Sequence, residues 1–93
     1  MTISYEVLKA RLLADPEVRA EYDVLALEFE ISSELLQARL RAGLSQTELA
    51  LLMGTSQSAI ARLESGQAQP STKTLIRFAG ATGSKIQVRL FAA

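Results

Sequence analysis

The chain has 93 residues, with ten basic and ten acidic side chains and neither histidine nor cysteine. The missing residue types exclude an imidazole base, a thiol nucleophile and a Cys/His metal site, so we expect no enzyme, no cofactor and no metal. No apolar run approaches the roughly 20 residues that span a bilayer, and the N-terminus lacks a signal-peptide pattern, so we expect a soluble cytoplasmic protein.

The charges are divided unevenly along the chain. Residues 1–36 hold three basic and eight acidic side chains, for a net charge of −5, whereas residues 37–93 hold seven basic and two acidic ones, for +5. A basic half suggests a polyanionic partner, and an acidic half suggests a basic protein or self-shielding. An ordinary solvated surface is the alternative.

Amphipathic helices are predicted for the N-terminal half. The first runs from about Ser4 to Leu13, and Asp15 caps a second that begins with Pro16. The second helix either breaks at Ser32–Ser33 or runs on, and a helical segment then leads to Arg41. Helical spacing gives these segments apolar positions: Tyr5, Leu8 and Leu12; Val18, Tyr22, Leu25 and Phe29; Leu36 and Leu40.

Two short helices joined by a tight turn are predicted next. Ser45 and Glu48 form a capping box that starts the first helix at Gln46, and Gly54 ends it. Ser56 caps the second. The second helix is predicted to run from Gln57 to Glu64. The inward residues are expected to be Leu49, Leu52 and Met53 in the first helix, and Ile60 and Leu63 in the second. This arrangement is a helix-turn-helix.

A helix-turn-helix can place its second helix in the major groove of DNA. Gln57 suits adenine, Arg62 suits guanine, and Ala61 could contact a thymine methyl. Three further polar residues suit phosphates: Ser45, Gln46 and Ser56. The alternative is that these side chains form a solvated helix face.

The C-terminal part is predicted to hold one more helix and a strand. Ser71 caps the helix, which extends to about Ala81, and Lys73 in its first turn is a further phosphate candidate. Its apolar side is expected at four positions: Leu75, Ile76, Phe78 and Ala79. The segment 85–91 then alternates polar and apolar residues, as a strand does.

That strand has no partner candidate in the chain. An antiparallel pairing with the same strand of a second copy is the economical solution, and it makes the protein a homodimer with two recognition helices for a palindromic site. The inward residues of the pairing would be Ile86, Val88 and Leu90. The alternative is a strand that packs on its own helices.

Three blocks resemble the XRE family of helix-turn-helix proteins, the phage repressor and Cro type: residues 44–50, 54–57 and 60–66. The resemblance implies that Gln46 and Ser56 contact phosphates, while Gln57, Ser58 and Arg62 face bases. It also implies a structural ion pair between Arg39 and Glu64. The loop 67–69 departs from phage repressors because it carries no Lys or Arg, which implies fewer backbone contacts.

The segment 15–22, followed by this domain and a terminal strand, is similar to HigA-type antitoxins of bacterial toxin–antitoxin modules. That resemblance implies a basic RelE/HigB-like ribonuclease toxin as partner, and repression of the protein's own operon. An acidic N-terminal region would speed association with a basic toxin. The N-terminal stripe supplies the toxin-binding candidates: Tyr5, Leu8, Leu12, Val18, Tyr22 and Leu25. The alternative is that this region folds back and completes the core.

We therefore expect a mostly α protein: a five-helix-type helix-turn-helix domain with an N-terminal helical extension and one C-terminal strand paired across a dimer. Its parts are a toxin-binding extension (1–33), a DNA-binding domain (34–83) and a dimerisation strand (84–93). The predicted function is an antitoxin that also binds operator DNA. A stand-alone repressor without a toxin is the main alternative, and an interaction module that has lost DNA binding is a third.

Overall fold

The structure is a computed structural model and describes residues 4–92. Residues 1–3 and 93, which belong to the predicted extension and the predicted strand, lie outside the described range. Within that range the chain forms five helices: α1 (Tyr5–Leu13), α2 (Pro16–Arg41), α3 (Gln46–Met53), α4 (Gln57–Ser65) and α5 (Thr72–Thr82). None of these helices is both long enough and apolar enough to cross a membrane.

Every helix begins at a side chain that accepts a hydrogen bond from a free backbone amide. Asp15 accepts from the amide of Glu17 at 2.9 Å and is followed by the expected proline. The other four caps are serines: Ser4, Ser45, Ser56 and Ser71. The last three are the caps predicted from the sequence, and Ser4 is the predicted start of the first helix. Local sequence therefore fixes where each helix starts.

The long helix α2 passes through Ser32 and Ser33 without a break. Ser32 is buried, and its hydroxyl donates to the carbonyl of Phe29 at 3.0 Å. This bond to the preceding turn satisfies the Ser32 hydroxyl within the helix. The side chain therefore does not compete for the backbone hydrogen bonds whose loss would end the helix. With 26 residues, α2 is about 39 Å long.

One end of α2 joins α3, α4 and α5 around a single apolar core, which we call the body. Phe78, Leu49 and Ile60 are its fully buried large side chains. The remaining buried members are distributed over α2, α3 and α4: Leu35, Ala38, Ala50, Met53 and Leu63. Three side chains predicted to point inward are instead exposed: Leu40, Leu52 and Ile76. So small a body has no further helix to cover their faces.

The other end of the molecule, α1 with residues 16–30 of α2, we call the arm. Helix α1 contributes no buried residue, and it packs along α2. No arm residue belongs to the buried core cluster. The arm therefore adds no buried side chain to the core of the body.

Residues 84–92 adopt no regular structure, so the predicted C-terminal strand does not occur among the described residues. A strand exists through hydrogen bonds to a neighbouring strand, and nothing in residues 4–92 supplies one. Val88, Leu90 and Phe91 are all strongly exposed, so the segment does not pack on its own helices either.

Candidate nucleic-acid interface

The first helix of the motif is fixed by the capping box. The Ser45 hydroxyl accepts from the Glu48 amide at 3.0 Å, and the Glu48 carboxylate accepts from the Ser45 amide at 3.0 Å. These bonds stabilise the charged carboxylate and hold the pKa of Glu48 below its ordinary value. Because the cap uses the Ser45 hydroxyl, this predicted phosphate ligand has a structural role at the start of α3.

The turn between α3 and α4 is held from α5. Gly54 lies in the left-handed region with φ of 67°, which glycine adopts without strain. The Arg77 guanidinium donates to the carbonyl of Met53, the last residue of α3. It satisfies a carbonyl at the negative end of that helix and ties α5 to the turn. Arg77 is not among the residues predicted from the sequence, because no local pattern reveals a contact across 24 residues.

The structure brings Arg39 and Glu64 together in a bidentate ion pair. Arg39 Nε donates to Glu64 Oε2 at 2.7 Å, and Nη2 donates to Oε1 at 2.9 Å. The side chains are only 11% and 4% exposed. The third arm of the guanidinium donates to the carbonyl of Leu44 at 2.9 Å. The hydrogen bonds to Glu64 raise the pKa of Arg39. This pair joins α2, the entry to α3 and the end of α4, so it fixes their relative orientation.

Gln46 and Gln57 extend this network outward to the surface. Gln46 Nε2 donates to Glu64 Oε1 at 3.1 Å, and Gln57 Nε2 donates to Gln46 Oε1 at 2.6 Å. A carboxylate only accepts, so the Gln46 amide must turn its NH₂ group toward Glu64 and its oxygen toward Gln57. The chain of bonds therefore fixes both amide orientations and leaves one N–H and the oxygen of Gln57 available.

The remaining residues at the start of α4 lie at the surface. Ser56 accepts from the amide of Ala59 at 3.1 Å and lies 3.2 Å from the hydroxyl of Ser58. Ser56, Gln57, Ser58 and Arg62 are all exposed. Within residues 4–92, no carboxylate lies within ion-pairing distance of Arg62. A free guanidinium, an oriented amide and two hydroxyls thus lie on the exposed surface of α4 and its N-cap.

Lys73 lies in the first turn of α5 and is exposed. It too lacks a carboxylate partner in the part of the chain that the structure describes. Residues 37–93 hold only two acidic side chains, Glu48 and Glu64, and both are engaged by the cap and the ion pair. The positive charge of the body is therefore not neutralised internally.

Comparison with known proteins agrees with this geometry. The family model described as helix-turn-helix matches residues 35–88. The chain belongs to this helix-turn-helix family. An uncharacterised helix-turn-helix transcriptional regulator of Haemophilus influenzae is 34% identical over 62 residues, which is 67% of this chain. The match spans 63% of that relative's length, slightly less than two thirds.

The toxin-binding candidates lie outside the helix-turn-helix motif, on the arm. Five of the six line one shallow groove of about 170 Å³ between α1 and α2: Tyr5, Leu8, Leu12, Val18 and Tyr22. Leu25 lies further along α2 and is exposed. The Lys9 ammonium lies 5.1 Å from the centre of the Tyr22 ring, and their interaction raises the pKa of Lys9. These residues hold α1 against α2 while keeping much of their apolar surface accessible.

The dimerisation candidates lie beyond the last helix of the helix-turn-helix domain. Val88 and Leu90 are strongly exposed, whereas Ile86 is less so. They therefore remain available to a second chain. No cluster of metal-ligating side chains occurs among residues 4–92.

Proposed function

We propose that the protein is a transcriptional regulator that binds operator DNA through α4 and represses its own operon. The observation that carries this proposal is the fixed Gln57 amide at the exposed start of α4, held through Gln46 on the Arg39–Glu64 pair. A side chain held in one orientation loses little entropy on binding.

The available groups of Gln57 match an adenine edge, because its oxygen can accept from N6 and its free N–H can donate to N7. Arg62, which is also exposed on α4, suits guanine O6 and N7. Ser58 would add a contact to either base, while Ser56, Lys73, Ser45 and the start of α3 would contact phosphates. Family membership supports such a regulator, and not an enzyme.

We infer that operator binding requires a homodimer. The apolar side chains of Ile86, Val88 and Leu90 are exposed, so the same residues of a second copy could cover them across a two-fold axis. Two recognition helices would then read a palindromic site.

Arg62→Ala tests the DNA proposal, with Arg19→Ala as a control that removes the same charge from the exposed surface of the arm. We expect Arg62→Ala to weaken binding to the upstream region of the protein's own gene by about 1–3 kcal/mol and to relax base preference. Arg19→Ala should change operator affinity little and leave the base preference intact. Equal losses on operator and random DNA for Arg62→Ala would contradict a base-reading role.

We further propose that the protein is an antitoxin whose residues 1–33 bind and silence a basic RelE/HigB-like ribonuclease. Support comes from the exposed apolar side chains of the arm, which serve no core. Residues 1–36 also carry a net charge of −5, which complements a basic partner. Contiguous apolar surface of this kind marks interaction sites. Since α2 continues across position 33, the two functions would share one helix.

Co-expression with the small reading frame adjacent to the gene tests the antitoxin proposal against a stand-alone repressor. If the neighbour alone stops growth, and this chain both restores growth and co-elutes with it from a sizing column, the protein is an antitoxin. A harmless neighbour, or one that does not co-elute, leaves a repressor whose arm has another role.

A further inference from the structure

A second apolar stripe on α2 is distinct from the one that contacts α1. Its members follow one another at spacings of four and three residues: Ala20, Val24, Leu27, Ile31, Leu35 and Ala38. Leu35 and Ala38 are buried in the body, and Ile31 packs against it. Val24 and Leu27, however, are 55% and 58% exposed. The face of α2 that builds the core thus continues along the arm with nothing on it.

Helix α1 does not cover this stripe. The groove between α1 and α2 is lined on the α2 side by Val18 and Tyr22, which lie on a different helical face from Val24 and Leu27. The uncovered part, which we call the flanked stripe, therefore consists of Ala20, Val24 and Leu27.

Acidic residues border the flanked stripe on both sides. Helical spacing places three along one border and three along the other: Glu17, Glu21 and Glu28; Asp23, Glu30 and Glu34. In residues 4–92 none of these six carboxylates forms an ion pair. Two copies joined through the stripe would bring like charges together, which disfavours self-association there.

We propose that the flanked stripe docks a basic protein, one that presents an apolar ridge between lysine or arginine side chains. The inference rests on the proposed antitoxin function and deepens it, because the toxin then contacts α2 on two faces. Apolar contact with Leu27 and Val24 supplies affinity, and the acidic borders supply orientation and a fast association rate.

The test uses the purified product of the adjacent reading frame as probe and compares three leucine substitutions. Leu27→Asp lies on the flanked stripe, Leu25→Asp lies on the stripe that contacts α1, and Leu51→Asp is a control, since Leu51 is an exposed leucine on α3. All three change exposed positions, so circular dichroism should show unchanged folding. We expect Leu27→Asp and Leu25→Asp each to weaken binding about ten- to hundredfold. Leu51→Asp should bind as the wild type does.

The outcomes separate the two proposals. If Leu25→Asp weakens binding and Leu27→Asp does not, the flanked stripe is not a docking site and the antitoxin proposal still holds. If the wild-type chain does not bind the probe at all, both proposals are overturned. A loss with Leu51→Asp equal to that with Leu27→Asp would also overturn the inference, since the site would then not be the stripe.

A second variant tests the acidic border. The double variant Glu21→Gln/Glu28→Gln removes two of the three charges of one border. It should slow association with the probe about tenfold at low salt, and the difference from wild type should shrink as salt is added. An unchanged association rate at low salt would contradict a role for this border in receiving a basic partner.

Discussion

Apolar residues of the same types are buried in the body and remain exposed on the arm. In the body, Leu49 and Ile60 are completely buried because four helical segments converge on them. In the arm, leucines of α2 stay exposed because α1 alone packs there, and α1 itself buries nothing fully. Helical amphipathicity therefore identifies apolar faces, and the number of neighbouring helices decides whether a face becomes core or interface.

The contrast is sharpest within α2, because both kinds of face occur on one continuous helix. Leu27 and Leu35 lie on the same stripe, eight residues apart, yet Leu35 is buried and Leu27 is exposed. Any partner that covers Leu27 therefore binds a surface continuous with the core of the DNA-binding domain.

Two phenylalanines give the largest expected difference between the regions. Phe78 is 1% exposed and Phe29 is 73% exposed. Phe78→Ala should destabilise the protein by about 3–5 kcal/mol through the lost burial and the cavity that it leaves. Phe29→Ala should cost at most about 1 kcal/mol. Thermal unfolding followed by circular dichroism measures both, and similar losses would mean that the arm is part of the folded core.

The Arg39–Glu64 pair should give the next largest effect. Arg39→Met leaves the buried Glu64 carboxylate unpaired, so we expect a loss of about 3 kcal/mol in the free energy of unfolding. The double variant Arg39→Met/Glu64→Leu should recover most of this stability, because no charge is left unpaired. It should nevertheless bind operator more weakly than wild type, since Gln46 loses its anchor. Operator affinity equal to wild type in the double variant would contradict the positioning role of the network.

Removal of residues 1–14 should have a smaller effect on the body. Helix α1 contributes nothing to the buried core, so we expect a change of about 1 kcal/mol or less in unfolding free energy. Operator affinity should stay within about twofold, whereas binding to the adjacent gene product should fall strongly. A body that unfolds on this truncation would show that the arm completes the core after all.

The smallest effect concerns pH and the capping box. The folded-state pKa of Glu48 is lower than its ordinary value of 4.5, so its charged form stabilises the fold at pH above 4.5. That contribution is lost as pH falls through the folded-state pKa. Glutamine can form the same capping box, so Glu48→Gln should preserve the fold at pH 7 and make its stability less sensitive to acid. An unaltered acid response in urea titrations between pH 3 and 7, an interval of roughly the span in which carboxylates titrate, would contradict this assignment.

Local signals predicted the helix starts and the helix-turn-helix well, because caps and glycine turns act over three or four residues. The capping box at Ser45 and the left-handed Gly54 are examples. Contacts across the chain were harder to predict. The bond from Arg77 to the turn had no local pattern, and the role of Gln46 as a link to Gln57 depends on Glu64 being placed behind it.

The wrong expectations have a common physical cause. The strand at residues 85–91 and the burial of Leu40, Leu52 and Ile76 were inferred from periodicity. Periodicity shows that a segment can pack against something, but it does not show that the same chain provides the neighbour. The second stripe of α2 is not among the sequence predictions, because they cover only the stripe that runs from Val18 to Phe29 on that helix.

Hydrogen exchange of the full chain, read by mass spectrometry in three states, tests the two-region account most directly. The states are the free protein, the complex with operator DNA and the complex with the adjacent gene product. We expect slow exchange in the body of the free protein, protection by DNA at the starts of α3, α4 and α5, and protection by the protein partner along α1 and residues 16–30. Partner protection confined to the body, or slow exchange of α1 in the free chain equal to that of α4, would contradict it.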